Sequence, residues 1–326
     1  MKVVECIDPG LRGTIAVGER PVPVAGPGEV LVRVGGAALN YVDVLLRRGR
    51  YAQAPEPPFV LGSEVAGEIV AVGPGVTDRR VGERVMAMTD GTGGLAELAV
   101  VPAALCVVLP DGVDAVAGAA FLLTFLTAHV PLTRQVRVGP GSAVLVHAAG
   151  GGVGTAAVQL ARELGATMIL ASAGAPERLA LARELGATAT IDHREEDVVA
   201  RARELTDGRG VDVVVDPVGG TVTTDSLRAL APLGTVVAIG SAGGAWPSVD
   251  PTLLVGRNIA VAGFFLGRLM RLDPAVVAAA SDELVGLWAA GRVSPAVGHV
   301  LPLDAAEDGL DRLEQRRSSG KVVLRP

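Results

Sequence analysis

The stretch Val144-Leu-Val-His-Ala-Ala-Gly-Gly-Gly-Val-Gly154 constrains the fold more than any other part of the chain. A short apolar run ends in a glycine-rich turn, and residues 155–164 then supply helix-forming Ala, Gln, Leu, Arg and Glu. In register the turn reads Ala149-x-Gly151-x-x-Gly154, a dinucleotide-binding fingerprint with alanine in place of its first glycine. The glycines have a physical purpose. A backbone that turns tightly and lets a pyrophosphate approach has no room for side chains, and the helix N-terminus that follows offers open N–H groups and a partial positive charge. Ala149, Gly150, Gly151, Gly152, Val153 and Gly154 are therefore the candidate phosphate-binding loop.

Strands are expected at 143–147, 167–172, 211–216, 235–240 and 259–264, with helices at 155–164 and 176–185. Such alternation specifies a parallel sheet with helices on both faces, here a doubly wound Rossmann domain. The end of the second strand selects the cofactor, because NAD enzymes place Asp or Glu there to hold the ribose hydroxyls. This chain has Ala171-Ser-Ala-Gly174. Ser172 can donate to a 2′-phosphate, Arg178 follows on the next helix, and His193 comes after the third strand in Ile191-Asp-His-Arg194. With no carboxylate at that strand end, NADPH is favoured over NADH.

A chain of 326 residues suits two lobes, and ligand sites favour the clefts between lobes. Residues 29–34, 68–72, 84–88 and 98–101 read as short Val-rich strands separated by turns such as Gly73-Pro-Gly75, the pattern of a compact antiparallel β-domain. Helices at 281–290 and 305–316 and a strand at 321–324 are too little for a core of their own and are expected to return to it. The expected division is 1–125 with 265–326 for the β-domain and 126–264 for the Rossmann domain. Residues 115–133 lack Asp, Glu, Lys and Arg but include Gly118, His129 and Pro131, and are expected to form a buried helix rather than a membrane span. The N-terminus has charges at Lys2 and Glu5 and no signal-peptide core, so a cytoplasmic protein is expected. A net charge of -6 offers no general attraction to nucleic acid or anionic lipid. Cys6 and Cys106 are too few for a disulfide framework or a cysteine-rich zinc site.

Taken together, these residues resemble the quinone oxidoreductase branch of the medium-chain dehydrogenase/reductase superfamily. The resemblance runs through Gly28-Glu-Val-Leu-Val-Arg-Val34, Ala38-Leu-Asn-Tyr-Val-Asp43, Pro58-Phe-Val-Leu-Gly-Ser-Glu-Val-Ala-Gly-Glu-Ile-Val70, Val81-Gly-Glu-Arg-Val85, Gly93-Gly-Leu-Ala-Glu97, the cofactor loop, Asp216-Pro-Val-Gly-Gly220 and Gly320-Lys-Val-Val-Leu324. It implies a GroES-like β-barrel catalytic domain, an inserted Rossmann domain, and a homodimer. Zinc-dependent relatives carry Cys and His ligands in the segments corresponding to 40–43 and 62–64. Asn40 and Ser63 stand there in this chain, and neither makes a tight zinc site, so no metal is expected.

The resemblance also implies site residues. Asn40 matches a polar group near the nicotinamide and Tyr51 a tyrosine at the pocket mouth, which could donate to the acceptor oxygen. A second tyrosine of some members falls at Leu45. Thr127, Val218, Gly240, Ser241, Phe264, Phe265, Leu266 and Lys321 match stretches that touch the cofactor. Asp43 is read as a helix start, Glu64 as a structural carboxylate in need of a basic partner, and His147 as a hydrogen-bonded core histidine. The implied activity is zinc-free hydride transfer from NADPH to a quinone or α,β-unsaturated carbonyl acceptor. The alternatives are an enoyl-thioester reductase and a non-catalytic, crystallin-like NADPH-binding protein.

Overall fold

The computed structural model describes every residue except Arg12, Asp90 and Pro247. The chain divides into two compact units, Met1–Leu123 with Leu269–Pro326, and Thr124–Arg268. The first is built on a seven-stranded sheet in the order Val297–Pro302, Lys321–Arg325, Glu29–Leu39, Glu64–Val72, Arg84–Met88, Cys106–Val108, with Leu98–Pro102 also pairing to Glu29–Leu39. Lys2–Asp8 lies in a smaller sheet between Thr14–Glu19 and Phe59–Val60. Along Glu29–Leu39, Val30, Val32 and Val34 are buried on one face, while the other face carries the buried Leu31 and the exposed Arg33. The C-terminal strand enters this sheet antiparallel, Val322 opposite Leu39 and Leu324 opposite Ala37. Cys6 and Cys106 are both buried thiols, and burial pushes Cys106 up to about 12.

The second unit carries a six-stranded parallel sheet in the spatial order Ala189–Asp192, Met168–Ala173, Ala143–Val146, Val211–Asp216, Leu230–Ala238, Ala260–Gly263. In chain order that is 3-2-1-4-5-6, with the reversal of winding between the first and fourth strands. Val144, Leu145 and Val146 are all completely buried, as helices on both faces require. Each such side chain removed from water stabilises the unit by about 1.5–3 kcal/mol.

Residues 115–133 do not form the one helix expected. Helices Ala115–Ala119 and Leu122–Val130 are separated at Ala120 and Phe121, and Pro131–Gln135 continues as a wider π-type turn. Pro131 has no N–H to give the i−4 carbonyl, which accounts for the change of winding there. Glu64 Oε2 accepts a hydrogen bond from Leu123 N at 3.1 Å, placing an anion where the second helix begins. No described helix is long and apolar enough to cross a membrane.

His147 directly follows the first strand of the parallel sheet. Its Nε2 lies 2.8 Å from Ser226 Oγ, which itself donates to Val222 O at 2.6 Å. Since the hydroxyl proton goes to that carbonyl, Nε2 must be the protonated nitrogen of a neutral ring. Burial pushes the imidazole down to about 4, against the pull of Asp216 and with the repulsion of His193. A lowered folded pKa means that below the ordinary value near 6.5 the unfolded chain gains a proton that the fold refuses, so stability is lost on acidification. His147→Gln should remove on the order of 2 kcal/mol of the stability lost between pH 7 and pH 5, read by urea denaturation at each pH. An acid profile identical to that of the unsubstituted protein would assign the titration to another group.

Candidate functional site

In the second unit, most of the expected cofactor residues sit beyond the C-terminal ends of the parallel strands, where open α/β sheets bind ligands. After the first strand, Ala148 takes a positive φ of 49°, Gly151 N donates back to Ala148 O at 2.8 Å, and helix Gly152–Glu163 begins with Gly151 as its N-cap. Ala149 N is bonded to Ser172 O at 3.0 Å, which fixes the loop to the second strand. A methyl group on Gly154 would collide with the Ala148 carbonyl oxygen and stand 2.7 Å from Ala149 Cα, so this position admits only glycine. Gly150 is as restricted: a Cβ there would lie 2.5 Å from the Cβ of Arg178, whose stem covers the loop. Val153 lies in the first turn of the helix, among backbone N–H groups that no intrahelical carbonyl can satisfy.

Ser172 is buried near the end of the second strand, with His193 Nδ1 at 3.5 Å from its hydroxyl. A Cβ on Gly174 would meet His193 Nε2 at 2.7 Å and Arg194 Cδ at 3.4 Å. Ser172, Arg178, His193 and Arg194 are thus gathered at one strand end. Arg194 is committed to Asp192, through its backbone N at 3.0 Å and its Nε at 3.5 Å, and these bonds hold the Asp192 carboxyl below its usual value.

Beyond the fourth and fifth strands, Gly243 N donates to Val218 O at 2.7 Å and Ala242 N to Pro217 O at 3.1 Å, so the loops carrying Val218, Gly240 and Ser241 lie side by side. Asp216, fully buried, organises this region: Oδ1 accepts from Val218 N at 2.8 Å and Gly219 N at 3.0 Å, and Oδ2 from Thr223 Oγ1. Sequence reasoning passed over Asp216 as a site-shaping residue, although an Asp before Pro-Val-Gly-Gly is a recognisable turn-forming signal. Phe264 N is bonded to Ala238 O at 3.0 Å; Phe264 and Leu266 are buried and Phe265 is exposed. Thr127 is buried in helix Leu122–Val130.

The first unit holds a second cluster. Asn40 is the N-cap of helix Tyr41–Arg47, and Asp43 closes the first turn by accepting from Asn40 N at 2.8 Å. Asp43 also accepts from Gly62 N at 3.0 Å, tying the helix start to the segment that carries Ser63 and Glu64. Burial is the largest influence on Asp43 and pushes its carboxyl up to about 6, opposed by the Asn40 and Gly62 hydrogen bonds and by Lys321. Glu64 has the basic partner that its burial demands: Lys321 Nζ lies 2.5 Å from Glu64 Oε1, with the side chains 1% and 4% exposed. Lys321 was expected beside the cofactor. Its ammonium is engaged with Glu64, Asn40 and the Leu39 carbonyl. Tyr51 is half-buried and packs against the core of this unit.

Comparison with known proteins agrees in both units. The sequence profile described as "Alcohol dehydrogenase GroES-like domain" matches residues 26–111, and "Zinc-binding dehydrogenase" matches residues 152–283. A quinone oxidoreductase of Pseudomonas aeruginosa is 39% identical over 302 residues, 92% of each chain. The Escherichia coli quinone oxidoreductase complexed with NADPH superposes with a TM-score of 0.94 at 30% identity over all of both chains. The quinone oxidoreductase of Pseudomonas syringae superposes with a TM-score of 0.93 at 35% identity, covering 100% of this chain and 99% of that one. The chain belongs to the quinone oxidoreductase branch of the medium-chain dehydrogenase/reductase superfamily. The part of the chain matched by the zinc-named profile contains no cysteine and His193 as its one histidine. Among the described residues, no group of three or more His, Cys, Asp and Glu could hold a metal ion.

The Asp43 carboxylate supports two backbone donors at once, which an amide cannot do, since its NH2 end would face one of them. Asp43→Asn should therefore cost about 1–3 kcal/mol in urea denaturation at pH 7. Unchanged stability would show that Asn40 and Gly62 hold their positions without the carboxylate.

Proposed function

We propose that this chain is a metal-free, NADPH-dependent reductase that transfers hydride to a quinone or an α,β-unsaturated carbonyl compound. The observation that carries the reading is the cradle after the first parallel strand. Backbone N–H groups at a helix start, a floor where Gly150 and Gly154 have no room for a side chain, and Ser172, Arg178 and His193 at the adjoining strand end form a surface suited to a pyrophosphate with a further phosphate beside it. Arg178, whose stem lies over Gly150 of the loop, is assigned to the 2′-phosphate. Thr127, Val218, Gly240, Ser241, Phe264, Phe265 and Leu266 are assigned to the remainder of the dinucleotide. The solved Escherichia coli relative holds NADPH, which supports the choice of cofactor.

Bound NADPH supplies the hydride, and the protein orients the reactants and excludes water. Asn40 and Tyr51 are assigned to the reacting end, Tyr51 as the hydroxyl that donates to the acceptor oxygen. A metal is argued against by donor chemistry. The oxygens of Asn40 and Glu64, in the segments where zinc-dependent relatives carry ligands, already surround the Lys321 ammonium, and a divalent ion there would meet a like charge. Without a Lewis acid, electron-poor acceptors are the ones within reach. A homodimer is proposed through the sheet edge Ala260–Gly263, near which the described residues include exposed Leu233 and Val255.

Oxidation of NADPH across a panel of quinones, enals and enoyl thioesters tests the reading, with turnover of the first two classes expected. Turnover of the thioesters alone would shift the assignment to enoyl reduction, and NADPH binding without turnover to a non-catalytic role. In the same assay Arg178→Ala should lose about 1–3 kcal/mol of NADPH recognition, a factor of roughly 5 to 150 in KM, with KM for NADH nearly unchanged. Equal losses with both cofactors would assign Arg178 to the fold.

A further inference from the structure

The cluster around Asn40 uses up one end of its amide and leaves the other partly available. An ammonium group carries only donors, and the three N–H groups of Lys321 meet Leu39 O at 3.3 Å, Glu64 Oε1 at 2.5 Å and Asn40 at 2.6 Å. The Asn40 atom facing Lys321 must therefore be the amide oxygen. At the other end, Glu64 Oε1 lies 3.0 Å away and can accept from a charged partner or an amide but has nothing to donate, so the atom facing it must be Nδ2. The two hydrogens on Nδ2 serve Glu64 and either Ser63 Oγ at 3.2 Å or Ala38 O at 3.3 Å. The backbone of Asn40 is engaged as well, N with Asp43 Oδ2 and O with Asp43 N. Oδ1 also faces Asp43 N across the capping box, but that N–H is bonded to Asn40 O, so among the described residues one lone pair of Oδ1 is left for a ligand.

We propose that Glu64 and Lys321 are positioning residues that hold the Asn40 amide in one orientation, so that Asn40 meets a bound small molecule only as a hydrogen-bond acceptor. Turning the amide over would set its NH2 against the ammonium and its oxygen against the carboxylate, two repulsive contacts at nearly complete burial. The proposal rests on the reading of this chain as a nicotinamide-dependent reductase. Under that reading, the group Asn40 takes is the carboxamide N–H of the nicotinamide. A quinone or enone carbonyl, itself an acceptor, finds its donor elsewhere, which leaves that task to Tyr51 or to solvent. The ion pair then acts on specificity at one remove: neither Glu64 nor Lys321 needs to touch the ligand for its removal to be felt there.

The test compares NADP⁺ with its 3-acetylpyridine analogue, whose methyl ketone replaces the carboxamide and has no N–H. Dissociation constants are measured by titration calorimetry with no acceptor present. The unsubstituted protein should bind NADP⁺ about tenfold more tightly than the analogue, the scale of one hydrogen bond. In Asn40→Ala the ratio should fall to within about twofold of unity. Because Lys321→Met alone would strand the Glu64 charge, the informative variant is the double Lys321→Met, Glu64→Gln, in which no charge fixes the amide. There the ratio should drop below about threefold while NADP⁺ still binds and thermal unfolding stays cooperative. Should that variant not fold, the double Lys321→Gln, Glu64→Gln, in which each neighbour can present oxygen or nitrogen to Asn40 and no buried charge is stranded, reads the same loss. Full discrimination retained in either double variant would overturn the positioning role. Tight, equal binding of both dinucleotides by the unsubstituted protein would overturn the proposal and leave the reductase reading standing; binding of neither would sink that reading and the proposal with it.

Discussion

One buried ion pair holds the first unit in its working form. Glu64 opens the strand Glu64–Val72 and Lys321 opens the strand Lys321–Arg325; they stand 257 positions apart in the chain, with the whole of the second unit between them. Moving either charge out of water costs several kcal/mol, and attraction alone does not offset it reliably. Saturation does. All three Lys321 donors find oxygens, and Glu64 accepts from Lys321, Asn40 and Leu123 N. The sheet therefore reaches its lowest energy only when the C-terminal strand has returned, and the same closure sets Asn40, caps the start of helix Leu122–Val130 and places a fixed cation where zinc-dependent relatives carry ligands. An ion pair of this kind says little about net stability. Its consequence lies in the uniqueness of the arrangement it enforces.

The second unit obeys a different constraint, that of steric space. Its loops are set by what cannot be present: no Cβ at Gly154 against Ala148 and Ala149, and none at Gly150 under Arg178. Such a surface is made of backbone and suits a ligand whose phosphates need N–H groups more than side chains. Asp216 extends the same logic to the next loop by turning its carboxylate onto Val218 and Gly219 N.

Much of this second unit was legible in the sequence because its determinants are local. A strand, a glycine turn and a helix in one run from Ala143 to Glu163 identify themselves, and the strand Val211–Asp216, like Arg84–Met88 of the first unit, falls where the apolar runs place it. What stayed hidden depends on contacts distant in sequence. Lys2–Asp8 carries charges at both ends and Thr14–Glu19 ends on Glu19, and neither shows a clean alternation, since one is paired on both sides and the other is an exposed edge. The break at Ala120–Phe121 is set by a glutamate some sixty positions earlier, which no window over 115–133 could include. Lys321 is the clearest case: only the fold reveals that its ammonium is paired with Glu64. The need of Glu64 for a basic partner was readable from burial chemistry; the identity of that partner was not.

The central claim is that hydride transfer here proceeds on dinucleotide recognition and a self-contained buried cation, with no metal. The most direct measurement is the rate of NADPH oxidation with 1,4-benzoquinone before and after exhaustive chelation, alongside the zinc content of the same preparation. The account predicts well under one zinc per chain and a rate that chelation leaves unchanged. Zinc present in stoichiometric amount, lost on chelation together with activity and restored by its return, would contradict it.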